Sequence, residues 1–178
     1  MVTGLLLAAG SGSRMGMPKA LVPGWLPDAV DVLLEGGCVR VVVVLGSHAE
    51  DARPLVPHGV GVVVAADWAE GMSRTLRAGL IALEVGDAPA AMVHLVDLPD
   101  VTADVVRRVL AVGVRPDVLA RAAYDGTPGH PVLIGRDHWP PLLAAVTGDE
   151  GARTYLAEHG TVLVECGDLA TGQDVDQR

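Results

Sequence analysis

Two groups of residues in this sequence have the types and spacing that phosphate chemistry uses. The first is the stretch LLLAAGSGSRMGMPKAL, residues 5–21, which follows a short apolar run and carries Gly10, Gly12 and Gly16, with Arg14 inside the loop and Lys19 three residues past the last glycine. Glycines just beyond a buried strand let the backbone approach a ligand closely, and their N–H groups can cradle an anion. Arg14 and Lys19 are the only basic residues before Arg40. The second is Asp97 in VDLPD, at the end of an apolar run, where a carboxylate is costly unless it is paired or bound to a metal. Its plainer role would be a turn or capping residue, although Asp100 and Thr102 stand nearer the next helix start and suit capping better.

The loop fits neither common phosphate template. A Walker A loop places lysine directly after its last glycine and a hydroxyl next, whereas Gly16 is followed by Met17 and Pro18. A dinucleotide fingerprint needs G-x-G-x-x-G and an acidic residue closing the second strand; here the spacing is G-x-G-x-x-x-G and that strand ends LGS. The bland alternative is a glycine-rich turn with two solvated basic side chains. Against it stands the charge of the chain, −9 overall, in which an anionic ligand must be met by a local cationic site. The same charge argues against general nucleic-acid binding.

The surrounding elements are expected to present these groups at one edge of a sheet. Short apolar or β-branched runs at 4–8, 40–45, 60–65 and 91–96 alternate with helical segments at 26–35, 49–56, 73–83 and 103–112. That alternation predicts β-α-β units and a mostly parallel sheet covered on both faces, a Rossmann-like three-layer α/β/α domain. Beyond residue 115 the rhythm changes: strands are expected at 117–124, 130–134 and 161–166 and helices at 139–145 and 151–159, an elaboration of the same sheet. At 178 residues the chain is one domain, with a nucleotide-binding part over about 1–115 and an acceptor-binding part over about 116–178. Ligands bind such sheets at the carboxyl ends of the strands, which directs attention to the loop after Ala8, the segment after Leu45, and residues 67–73 and 97–100.

Several motifs together resemble the molybdenum cofactor nucleotidyltransferases, within the group of nucleotide-diphospho-sugar-transferase-like folds. They are LAAGSGSRMGMPKAL, GCVRVVVVLGSHAE, WAEGMSRTLRAGL, HLVDLPDVT, AAYDGTPGHPVLIGRDHWPPLLA and TGDEGARTYL, which span most of the chain. LAAG and GHPVL look most like the branch that transfers CMP from CTP to molybdopterin. The resemblance implies a loop in which Leu7, Ala8, Ala9, Gly10, Gly12 and Ser13 wrap the nucleotide, with the backbone around Ala8 to Gly10 reading the base. It implies that Arg14 and Lys19 bind the triphosphate, that Asp97 holds Mg²⁺, that Gly71 and Ser73 line the nucleotide site, and that His130 faces the acceptor pocket. The D-V-D of residues 174–176 resembles a D-x-D-T-P segment whose second aspartate, here Asp176, supplies another metal ligand; here Gln177 and Arg178 follow in place of T-P-E-D.

The implied substrates are a nucleoside triphosphate, CTP, and a molybdopterin-type acceptor, with a molybdoenzyme as client. A transferase using another acceptor, such as a sugar phosphate, and a non-catalytic nucleotide- or cofactor-binding protein stay open. His94 reads as a core residue hydrogen-bonded to a neighbour, Trp68 and Trp139 as packing residues with Trp68 close to the expected site, and Asp149 and Glu150 as a helix start. Cys38 and Cys166 suggest neither zinc nor a disulfide, and no apolar run reaches membrane length, so a cytoplasmic protein without a membrane span is expected.

Overall fold

The computed structural model describes residues 1–176; the departure at Gln177 and Arg178 lies outside them. One sheet of seven strands runs in the order β3-β2-β1-β4-β6-β5-β7. Its strands are β1 (Thr3–Ala8), β2 (Arg40–Leu45), β3 (Gly61–Val64), β4 (Ala90–Leu95), β5 (Leu119–Tyr124), β6 (Thr127–Gly135) and β7 (Val162–Glu165). The helices are α1 (Trp25–Glu35), α2 (Ala49–Ala52), α3 (Met72–Leu83), α4 (Ala103–Leu110), α5 (Trp139–Ala145) and α6 (Arg153–Glu158). The first four strands are parallel, β6 runs antiparallel to both β4 and β5, and β7 returns parallel to β5. The expected mostly parallel sheet with an elaborated second half is therefore what forms, as a single continuous sheet.

The sheet needs helices on both faces because its central strands are apolar at nearly every position. In β1 all six residues are buried, with Leu6 and Ala8 facing one layer and Leu5 and Leu7 the other. One layer is filled by Leu26, Val30 and Leu33 of α1 and by Val105, Val106 and Val109 of α4. The other is filled by Leu76, Leu80 and Leu83 of α3, Trp139 and Leu142 of α5, and Tyr155 and Leu156 of α6. The sequence has no phenylalanine, so close approach of backbone replaces bulk. A Cβ on Gly79 of α3 would lie 2.7 Å from the Leu5 side chain.

Beyond β7 the chain turns back across the carboxyl ends of the strands. Cys166 N–H donates to Ala123 C=O at 2.7 Å, both the N–H and the Oγ1 of Thr171 donate to Asp100 Oδ2 at 2.6 Å, and Val175 N–H donates to Asp97 C=O at 3.0 Å. Gly172, at φ +62°, lies against the Tyr124 ring, where a Cβ would come within 2.1 Å of a ring carbon. Asp100 is thus not a helix cap. It latches this C-terminal strap, while Thr102 occupies the N-cap position of α4 without a side-chain capping bond.

Candidate active site

The first cavity, about 450 Å³, opens where β1 ends. Leu7, Ala8, Ala9, Gly10, Gly12, Ser13, Arg14 and Lys19 line it from the glycine-rich loop, Gly71 from the bend before α3, Asp97 from the end of β4, and Asp176 from the strap. The loop closes on itself: Met15 and Gly16 N–H groups both donate to Gly12 C=O, at 2.9 and 3.0 Å. Gly12 sits at φ +60°, and a Cβ there would lie 1.8 Å from Met17 C=O, so only glycine completes this turn.

The two cations of the loop meet the carboxylates of remote segments. Lys19 Nζ donates to Asp97 Oδ2 and, at 2.6 Å, to Asp176 Oδ1; Arg14 Nη1 donates to Asp176 Oδ2 at 3.1 Å. Asp97, Asp174 and Asp176 each bring an oxygen within 4.8 Å of the others. Burial opposes the charge on Lys19, but the hydrogen bonds and charges of Asp176 and Asp97 outweigh it, so its pKa lies above the ordinary lysine value. The Lys19 ammonium holds Asp176 below the usual carboxylate range. Asp174 is pushed up, by burial first and then by the neighbouring Asp176 and Asp97.

A second cavity, about 740 Å³, adjoins the first across Leu7, Met72, Leu95 and Asp149, which line both. His130 lies here, half-buried on β6, and so does Asp174. Burial, with the charges of Arg121 and His94, pushes the His130 pKa down to about 3, so the ring is neutral. Tyr124 Oη donates to His130 C=O at 2.6 Å, which ties the His130 turn to the strap that Gly172 lays on the same ring.

Residues 4–162 match the MobA-like NTP transferase domain. The chain belongs to this family. It is similar to the nicotine blue oxidoreductase of Paenarthrobacter nicotinovorans, 39% identical over 192 residues that cover 98% of this chain and 92% of that protein. It is also similar to the molybdenum cofactor cytidylyltransferase of Escherichia coli (strain K12), 24% identical over 147 residues covering 80% and 72% of the two chains. Among solved structures it resembles Rv0371c from Mycobacterium tuberculosis H37Rv, with 29% identity, a TM-score of 0.80 and coverage of 99% and 92%. A complex of Rv0371c with manganese matches at 27% identity and a TM-score of 0.73, covering 93% and 87%.

Within the MobA-like frame, three positions differ from their sequence-based reading. Ser73 is on the inner face of α3, buried with Thr75, Leu76, Gly79 and Leu80, and it is Met72 and Thr75 that line the first cavity. His94 is buried as expected, but its Nδ1 has no hydrogen-bond partner among the described residues, and burial pushes its pKa down to about 4. Asp149 belongs to a short 3-10 turn (Gly148–Glu150) that covers the bend before α3. A Cβ on Gly71 would lie 2.6 Å from both Asp149 Oδ1 and Gly148 C=O, which puts Asp149 at the junction of the cavities; Glu150 accepts from Thr154 Oγ1 at 3.0 Å, as a helix-start residue would. Trp139 packs as expected, its Nε1 donating to Ile134 C=O at 3.1 Å, and Trp68, half-buried against the core, also lines the first cavity.

Asp174 is the acidic residue whose place the motif reading missed. The signal was present: in extended chain, residues two apart point the same way, so D-V-D presents both carboxylates to one side. For Asp149 the sequence carries no comparable signal, because its position depends on its contact with the remote Gly71. Cys38 and Cys166 are free and buried, and burial pushes the Cys38 thiol up to about 12. Among the described residues no helix is long and apolar enough to cross a membrane.

Proposed function

We propose that this protein transfers a nucleoside monophosphate from a nucleoside triphosphate, CTP, to a phosphorylated acceptor of the molybdopterin type and releases pyrophosphate. One observation carries the reading: the aspartate cluster stands at the seam of two adjoining cavities, with Asp97 and Asp176 lining the first and Asp174 the second. A reaction that joins two substrates through a phosphate needs such a seam. The glycine loop supports nucleotide in the first cavity, and the larger second cavity has room for a cofactor-sized acceptor.

The cluster fits a hard divalent cation. Its donors are carboxylate oxygens on three residues close enough to share one ion, the donor type that Mg²⁺ takes. Bound by Asp97, Asp174 and Asp176, Mg²⁺ would neutralise phosphate charge at the reacting centre.

The remaining steps belong to the chain's own groups. An acceptor phosphate oxygen, already ionised at neutral pH, forms a bond to the α-phosphorus; the bond from that phosphorus to the bridging oxygen breaks, and pyrophosphate leaves with the electron pair. No general base is needed. Arg14 and Lys19 offset the charge gathering on pyrophosphate, and the closed loop with Gly12 fixes the nucleotide relative to the seam.

A second reading is favoured by the relative named an oxidoreductase. Under it, the same loop holds the nucleotide part of a reductant that gives up hydride. Three clustered carboxylates have no task in hydride transfer, and the dinucleotide fingerprint is missing. Pyrophosphate release from CTP or GTP with Mg²⁺ and molybdopterin tests the first reading; oxidation of a reduced nicotinamide dinucleotide with nicotine blue tests the second. Transfer with CTP supports the proposal. Dye reduction without pyrophosphate release would overturn it.

A further inference from the structure

The second cavity holds two guanidinium groups to which the reaction assigns no task. Arg121 rises from the middle of β5, paired in register with Val132 of β6 and Leu163 of β7, and all three line the cavity. Its Nε donates to Gly129 C=O at 3.0 Å, and among the described residues neither Nη makes a hydrogen bond or an ion pair. Arg153, the first residue of α6, lines the same cavity and likewise makes no ion pair among the described residues.

This arrangement is electrostatically expensive. A half-buried guanidinium is ordinarily matched by a carboxylate, and a second cation nearby adds repulsion. Burial, followed by the charge of Arg153, lowers the Arg121 pKa from its usual value. The acidic residues around the cavity do not relieve it. Asp149 sits at the seam, Asp174 in the aspartate cluster, and Glu150 takes the Thr154 hydroxyl; none reaches either arginine. The neutral His130 cannot supply negative charge. The walls between are apolar, formed by Leu76, Val93, Ile134 and Leu156.

We propose that Arg121 and Arg153 form an anion subsite that takes a second, distal anionic group on the acceptor. Occupied, the site turns two opposed cations into two charge-assisted hydrogen-bond donors. It selects acceptors carrying negative charge at both ends: the phosphate that attacks at the aspartate seam and another acidic group on the cavity floor. The proposal rests on the second cavity being the acceptor's.

The probe is 8-anilinonaphthalene-1-sulfonate, an apolar body with one anionic group, set against its uncharged analogue N-phenyl-1-naphthylamine, titrated by fluorescence without nucleotide. Wild type is expected to bind the sulfonate saturably. Arg121→Met and Arg153→Met are each expected to weaken sulfonate binding by about tenfold while leaving the uncharged analogue almost unchanged. Arg153 is exposed, so its variant keeps the fold even if Arg121→Met does not. Equal sulfonate affinity in wild type and Arg153→Met, or a parallel loss of both probes, overturns the subsite. Because no turnover is read, failure here leaves nucleotidyl transfer standing, and absence of pyrophosphate release with intact sulfonate discrimination counts against the transferase reading alone.

Discussion

Lys19 Nζ lies 2.6 Å from Asp176 Oδ1 and also donates to Asp97, so the ammonium group that should meet a triphosphate is held by the carboxylates that should meet a metal. Lysine and metal cannot both neutralise these oxygens fully. Under the proposed function, loading the site would exchange partners, with the cation taking the carboxylates and Lys19 pairing with phosphate instead.

Lys19→Met is expected to bind Mn²⁺ about tenfold more tightly than wild type when no nucleotide is present, since a positive charge adjacent to the ligands is removed. Its affinity for CTP should fall in parallel. Electron paramagnetic resonance of free Mn²⁺ measures the first quantity and calorimetry the second. Unchanged or weaker Mn²⁺ binding in the variant would contradict the exchange.

Asp97→Asn and Lys19→Ala are each expected to lower the turnover number by a factor on the order of 10²–10³, the usual effect of removing one preorganised charge contact. Thermal melts near that of wild type would show that folding is not the cause. Asp174→Asn should lower turnover as well, although the reading of the D-V-D segment gave a ligand role to Asp176 and not to Asp174.

The strap that delivers Asp174 and Asp176 is latched by Asp100, whose Oδ2 accepts both the N–H and the hydroxyl of Thr171. Asp100→Ala leaves those donors without that partner and is expected to cost about 1–3 kcal/mol in urea unfolding. Weaker Mn²⁺ binding should accompany it, because the cluster loses two of its three members' support. A variant that is less stable yet binds Mn²⁺ normally would show that the latch does not position the site.

His94 carries a pH signature. Its folded pKa, pushed down to about 4, lies below the ordinary histidine value of 6.5, so between these values the unfolded chain binds a proton that the folded chain does not. Stability contributed by the neutral ring is fully present above the unfolded value and is lost as pH falls toward 4, by up to on the order of 3 kcal/mol. His130, at about 3, acts in the same direction. Urea midpoints measured across this range should fall with acidification, and His94→Gln should flatten the slope.

Much of the frame was legible in the residue order. The run RVVVVL became β2 over the expected residues, and Trp139–Ala145 became α5, because apolar runs buried on two faces and amphipathic periods are properties of short windows. Ser73 was misplaced because adjacent helix positions face about 100° apart, so EGMS can line a cavity through Gly71 and Met72 while Ser73 turns into the core. Asp100 was read as a local cap because capping is a short-range habit of aspartate, whereas its partner, Thr171, lies 71 residues away.

By itself, then, the sequence determined the α/β alternation, the glycine-rich loop with Arg14 and Lys19, and the family to which those motifs belong. Tertiary structure alone decided that Asp174 joins Lys19, Asp97 and Asp176, and that Arg121 and Arg153 share a cavity with no acid partner among the described residues. The reason is physical: strand and helix signals arise from neighbours in the chain, while the charge balance of a site depends on which remote segments the sheet order and the returning strap bring within a few ångströms of one another.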